Sequence, residues 1–242
     1  MKKEVSPSLL VWGIHAVKEA VASARAGHIY FAKENRATAQ ILEEARQKGV
    51  PTTFLDQEAL LALAPGKHQM IAAEIIPAPV PTLEEILAKK TPQSLYLLLD
   101  GVQDPQNLGA CLRLAWAFGA EAVLVPAHGS APLSAAARKA ASGGAEHVPL
   151  LRVPNLAQAI TTLKASGIWV YGASPRASQR LSHEALAFPC AWVLGGEGKG
   201  LRRLTEERCD ALFSIPMSGG AQSLNVAMAC AICLYETTRD RQ

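Results

Sequence analysis

Residues 95–125 read LYLLLDGVQDPQNLGACLRLAWAFGAEAVLV. An apolar run, LYLLL (95–99), is followed by a polar turn containing Pro105. A helical pattern, LRLAWAFGA (112–120), leads to a second apolar run, AVLV (122–125). Two short apolar runs joined by a helix predict a β-α-β unit with parallel strands buried on both faces. Ligands of open α/β sheets sit at such strand-to-helix turns. This turn has neither the glycine fingerprint of a dinucleotide site nor a GK[ST] for a nucleoside triphosphate. It offers Asn107 and Arg113 instead.

The alternation continues outward. Further strands are expected at 148–153, 168–173, 191–195 and 212–216, with helices around 107–119, 132–141, 155–166 and 200–208 and a last one from about 222 to 238. Strands alternating with helices argue for a mostly parallel sheet with helices on both faces. Upstream, PAPVPT (77–82) places three prolines in six residues, which favours a stiff extended linker. It separates a smaller α/β/α unit. There the pattern predicts helices at 14–25, 36–48 and 56–64, the last capped by Asp56, and strands at 28–32, 52–55 and 70–76. The division read from the chain is 1–76, a linker at 77–92, and 93–242.

Composition narrows the class. Of 242 residues, 49% are hydrophobic and 19% charged, which places the chain among globular proteins. No apolar run approaches the roughly 20 residues of a membrane span. The N-terminal apolar run is about four residues, short of the about 7–15 of a secretory signal, so the expected compartment is the cytoplasm. The net charge of +3 is spread without a basic tail, so any nucleic acid is held by placed residues rather than by a bulk field. Five cysteines and six histidines show no metal spacing, and no metal is expected. Cys230 and Cys233 form C-x-x-C inside an apolar helix and read as core packing.

Two more loops follow candidate strands. GGEGKG (195–200) carries G-x-G-x-G, which lacks the third glycine spacing of a nicotinamide site. It reads as a ligand loop of another topology, or as a plain turn before the next helix. SIPMSGGAQSLNVAMA (214–229) runs from a strand end through a glycine-rich loop into the last helix. Ser223 and Asn225 stand at that helix start, where they can cap it or receive an anionic ligand group. The last helix, LNVAMACAICLYE, is apolar nearly all round. A helix of that kind is buried on every side, which points to a second subunit.

NLGACLR (107–113), GGEGKGLRR (195–203) and IPMSGGAQSLNVAMA (215–229) resemble the three ordered motifs of the SpoU/TrmH (SPOUT) family of RNA 2′-O-ribose methyltransferases. WGIHAVKEA (12–20), His68–Gln69 and ARKAASGGAEHVPLLRVPNL (137–156) are similar to the branch that methylates a guanosine of 23S ribosomal RNA. The resemblance covers nearly the whole chain. It implies a SPOUT α/β fold with a deep C-terminal trefoil knot and a small N-terminal L30e-like domain that binds RNA.

It also implies S-adenosyl-L-methionine as methyl donor and a homodimer formed through the C-terminal helix and the knot. The implied substrate is 23S rRNA or a ribosomal precursor, methylated at a guanosine of the 2251 type. Carried over motif by motif, Asn107, Arg113, Glu197, Ser223 and Asn225 are the implied active-site residues. Gly195, Gly196, Ile215 and Leu224 are the implied cofactor contacts. Arginine stays protonated in proteins, so Arg113 acts as a cation toward phosphate and the forming alkoxide rather than as a base. Two departures stand out: Met70 replaces the glycine of the family's HQG, and Ala127–His128 replace a frequent Lys-Asp pair. The competing readings are a tRNA ribose methyltransferase and a non-catalytic RNA-binding or ribosome-assembly protein. An NAD oxidoreductase is opposed by the loop order.

Overall fold

A computed structural model describes residues 9–64, 68–76, 80–196, 200–219 and 223–241. The chain forms two compact units, Met1–Pro79 and Val80–Gln242.

The first unit runs β1 (Leu9–Trp12), α1 (Ile14–Ala22), β2 (Ala26–Phe31), α2 (Arg36–Gln47), β3 (Thr52–Phe54), α3 (Gln57–Leu63) and β4 (Ile71–Ile75). Its sheet has the order β1-β4-β2-β3, with β2 and β3 parallel and the other pairs antiparallel. Alternation along β4 sends Ile71, Ala73 and Ile75 to one core with Val17, Val21, Ile41 and Leu42. Ala72 faces the other way, toward Leu60 and Ala64. Asn35 caps α2 in a reciprocal box with Thr38, and Asp56 accepts the Ala59 N–H at 2.7 Å to cap α3. Strand β1 was not expected from the sequence. It is four residues long and continues directly into the GIHAV helix.

The second unit runs α4 (Leu83–Leu87), β5 (Leu95–Asp100), α5 (Pro105–Ala117), β6 (Ala122–Pro126), α6 (Ala135–Ala141), α7 (Gly144–His147), β7 (Leu150–Val153) and α8 (Leu156–Ala165). It continues through β8 (Trp169–Ala173), β9 (Gln179–Arg180), β10 (Cys190–Gly195), α9 (Arg203–Glu206), β11 (Ala211–Ser214) and α10 (Val226–Thr238). Within the stretch expected as a linker, residues 83–87 form helix α4. Thr82 and Glu85 form a capping box, and Leu83 and Ile86, three apart, are buried in this unit's core. The T-x-x-E signature outweighs the preceding prolines.

All strand pairs in the seven-stranded sheet are parallel, in the order β7-β6-β5-β10-β8-β11-β9. The late strand β10 takes the slot between β5 and β8. Leu95, Leu97, Leu99, Trp192 and Leu194 face α5 and α10, while Tyr96, Leu98, Ala191 and Val193 face α4 and α8. Each apolar run is therefore buried on both sides, which is why these strands do not alternate in polarity.

Helices α5, α6 and α7 pack unusually closely. A Cβ on Gly109 would stand 2.3 Å from the Ala137 carbonyl oxygen, and one on Gly144 2.6 Å from that of Leu112. The break between α6 and α7 is made by Ser142 and Gly143, both left-handed at φ 47° and 98°. Helix α7 and the short β9 were not expected, since neither is long enough to carry a period. The last helix begins at Val226 rather than 222. Within this chain it is not buried on every side: Cys230, Cys233, Leu234 and Thr237 face the core, but Met228, Ile232 and Tyr235 are 61%, 38% and 56% exposed.

Candidate active site

The site residues lie at the carboxyl ends of β5, β10 and β11. After β5, Asp104 accepts the Gln106 N–H at 2.9 Å and Pro105 opens α5. Proline suits a first helical turn, where its missing N–H has no partner to lose. Asn107 follows in that turn and is buried.

Across the site, Asn225 is the N-cap of α10. Its Oδ1 accepts the Ala227 N–H at 2.8 Å, and its Nδ2 donates to Asn107 Oδ1 at 3.0 Å. One amide thus caps one helix and ties it to the first turn of another, 118 residues away. The capping reading of Asn225 is met by its bond with Ala227. Helix α10 is fixed further along as well, where the buried Trp192 Nε1–H donates to Thr237 Oγ1 at 2.8 Å.

The turn after β10 is close-packed. The Gly196 N–H donates to the Asp100 carbonyl at 2.8 Å. A Cβ on Gly196 would lie 2.3 Å from the Gly101 carbonyl oxygen, and one on Gly195 2.1 Å from Gly200 C. Any larger residue at either position displaces backbone. Glu197 falls outside the described residues. After β11, Ile215 is half-buried against the core, Leu224 is half-buried and Ser223 is exposed.

Arg113 is separate from this group. Six residues on from Asn107, it is turned by about 240° and displaced by about 9 Å along the helix. It is exposed, with no ion pair or hydrogen bond among the described residues. Beside it, the exposed Trp116 stacks on His147 at 4.2 Å with an interplanar angle of 8°. The structure therefore joins Asn107 to Asn225 and sets Gly195–Gly196 against the end of β5. It leaves Arg113 on an outer face.

The thiols belong to the core. Burial pushes those of Cys190 and Cys233 up to about 12. Cys230 is raised first by its hydrogen bond with Cys111 and then by burial. No group of three or more potential metal ligands occurs among the described residues.

Sequence reasoning passed over Asp100 and Arg202. Asp100 is a carboxylate ending an otherwise apolar strand, with its side chain fully buried; the Arg202 N–H donates to its Oδ2 at 2.8 Å. The available signal was a charge at the end of a wholly apolar run.

The ends of β5, β10 and β11 thus lie along one carboxyl edge of a parallel sheet, with Asn107 and Asn225 hydrogen-bonded beside it. Residues 94–235 match the SpoU rRNA Methylase family, and residues 10–81 match the RNA 2′-O ribose methyltransferase substrate binding domain. The chain belongs to the SpoU rRNA methylase family.

Among its relatives is the 23S rRNA (guanosine-2′-O-)-methyltransferase RlmB of Pseudomonas putida, 41% identical over 240 residues, covering 96% of each chain. The RlmB of Haemophilus influenzae is 42% identical, covering 96% of this chain and 97% of that one. Among solved structures, the SpoU methyltransferase AviRb of Streptomyces viridochromogenes, in complex with AdoMet, superposes with a TM-score of 0.76. It is 24% identical, covering 97% of this chain and 90% of that one, and supports the fold.

Proposed function

We propose that this protein transfers the methyl group of S-adenosylmethionine to the ribose 2′-hydroxyl of a guanosine in 23S rRNA, of the 2251 type. The observation that carries the reading is the Asn225–Asn107 hydrogen bond, which joins the first and third family motifs at the strand ends beside the glycine turn of the second. The relatives that cover nearly the full chain are rRNA guanosine methyltransferases, and residues 10–81 match an RNA 2′-O ribose methyltransferase substrate binding domain.

The residues present suit the cofactor. The half-buried Ile215 and Leu224 offer apolar surface for an adenine ring, and Gly195 and Gly196 pack against Gly200 and Gly101, leaving their backbone groups as the cofactor contacts. The cofactor supplies a methyl group already activated on a sulfonium, so the protein's work is alignment and charge management. Asn107 and Asn225 orient the ribose and cofactor, with Ser223 and Glu197 completing the set. Arg113, a permanent cation on an open face, binds the phosphate beside the target ribose and steadies the forming alkoxide. The target nucleotide is unpaired or splayed out, as specific RNA recognition requires.

The remaining parts of the reading follow the same family. The first unit is an L30e-like domain that binds RNA. The second is threaded as a trefoil knot, in keeping with the late insertion of β10 between β5 and β8. The protein works in the cytoplasm on 23S rRNA or a ribosomal precursor. Among the described residues no helix is long and apolar enough to cross a membrane. It is a homodimer formed through α10 and the knot, since Met228, Ile232 and Tyr235 form an apolar stripe that its own chain leaves open. Sedimentation of Met228→Glu is expected to shift the dimer toward monomer; an unchanged dimer moves the interface elsewhere.

The test of the reaction is methylation of unmodified 23S rRNA and of tRNA transcripts, with the product mapped by mass spectrometry. Methyl groups on one 23S guanosine ribose are expected. Methylation of tRNA alone favours the tRNA reading, and methylation of neither RNA together with no S-adenosylmethionine binding overturns the enzyme reading.

A further inference from the structure

The turn after β10 is held from the side by a charge that the family motifs do not use. Asp100 ends β5 with its side chain fully buried. Its Oδ2 accepts the Arg202 N–H at 2.8 Å. Its Oδ1 accepts no hydrogen bond among the described residues and lies 3.5 Å from Arg202 Nε. A buried carboxylate is costly unless a cation answers it, and Arg202 is the only ion-pair partner of Asp100 among the described residues.

The guanidinium then reaches across the sheet edge. Its Nη2 lies 3.6 Å from the position a Cβ would take on Gly101 and 3.1 Å from that on Gly129. One side chain therefore touches the turns after β5 and β6 while belonging to the turn after β10. The same turn presses Gly195 against Gly200 and Gly196 against Gly101. Residues 200–202 cannot swing away from the strand ends without stranding the Asp100 charge.

We infer that Asp100 and Arg202 are positioning residues that hold Gly200 and Arg202 against the ends of β5 and β10, and with them Gly195 and Gly196 in the arrangement that receives the cofactor. The pair sets affinity for S-adenosylmethionine rather than the rate of methyl transfer. This inference rests on the reading that Gly195 and Gly196 line the cofactor.

Arg202→Ala tests it with little risk to folding, because the guanidinium is more than half exposed and the backbone N–H to Asp100 remains. Calorimetry with S-adenosylmethionine is expected to show Kd raised about fivefold, the scale of a partly exposed ion pair. The kcat at saturating cofactor and the KM for RNA should stay near wild type. Arg202→Lys should recover part of the lost affinity. Arg203→Ala, whose side chain is exposed and among the described residues pairs only with Glu207, should leave cofactor affinity unchanged.

Unchanged cofactor affinity in Arg202→Ala overturns the inference. So does a raised KM for RNA at unchanged cofactor affinity, which would make Arg202 an RNA contact. A loss of kcat equal to the loss of affinity also overturns it. Wild-type protein that binds no S-adenosylmethionine overturns the cofactor reading itself, and the latch with it; the two failures are told apart by the wild-type titration.

Discussion

The two ends of α5 are built on opposite plans. At the amino end Asn107 is buried, lies one turn past a capped start, and is gripped by an asparagine from the far end of the chain. Six residues later Arg113 is exposed and answered by nothing described in its own chain. One end is set before any ligand arrives. The other keeps a permanent charge in solvent, where it costs little until a phosphate replaces the water. On the function proposed above, the helix separates alignment of the reacting atoms at its rigid end from capture of a polyanion at its open end.

The sharpest way to break this comparison is at the open end. Arg113→Ala is expected to lower methyl transfer about a hundredfold, the scale of losing one preorganised charge partner, without changing cofactor affinity. Initial rates of radiolabelled methyl incorporation, beside calorimetry, check both halves. Transfer within a few-fold of wild type would remove Arg113 from the substrate side.

The next effect is on the helix's seating. Gly109→Val drives a side chain into the Ala137 backbone and should cost about 2–3 kcal/mol of stability by overpacking. Urea denaturation measures it, and an unmoved midpoint would mean that α5 and α6 do not approach as described. At the rigid end, Asn225→Ala loses both the cap and the Asn107 bond, about 1–2 kcal/mol together. Asn225→Asp keeps an acceptor for the cap but loses the donor to Asn107, so it should recover stability and not activity. Recovery of both would leave Asn225 as a cap alone. The smallest effect belongs to Trp116→Ala, which removes an exposed stack on His147 and should change stability by under about 1 kcal/mol. A larger loss would show that this outer face is also part of the rigid frame.

Much of the architecture was legible because its signals are local. LYLLL, AVLV and AWVLG are apolar runs too short for helices, and each became a strand buried on both faces. Asp56 was readable as a cap from its own neighbourhood. Strand order was not legible, because nothing in AWVLG says that it inserts between LYLLL and the 168–173 strand. The apolar circumference of α10 overstated burial. Hydropathy counts Met228 and Tyr235 as core residues wherever they point, whereas the helix meets its own chain on one side. For the candidate site, the spacing of the three motifs alone could not show that Asn107 and Asn225 touch while Arg113 stands apart. Asp100 was hidden for a different reason: read as the first residue of a polar turn, it is in fact the last residue of the strand.

The position of β10 has a consequence for how the chain is made. Strand β5 pairs on one side with β6, which follows soon after, but its other edge waits for Cys190–Gly195, about 95 positions later. During synthesis β5 therefore keeps an open apolar edge, and β8, whose partners β10 and β11 both come later, has no neighbour; open edges of this kind invite pairing with other chains. The strand that closes this gap ends at Gly195, so the central pairing of the sheet and the first glycine of the second motif are set in the same late step.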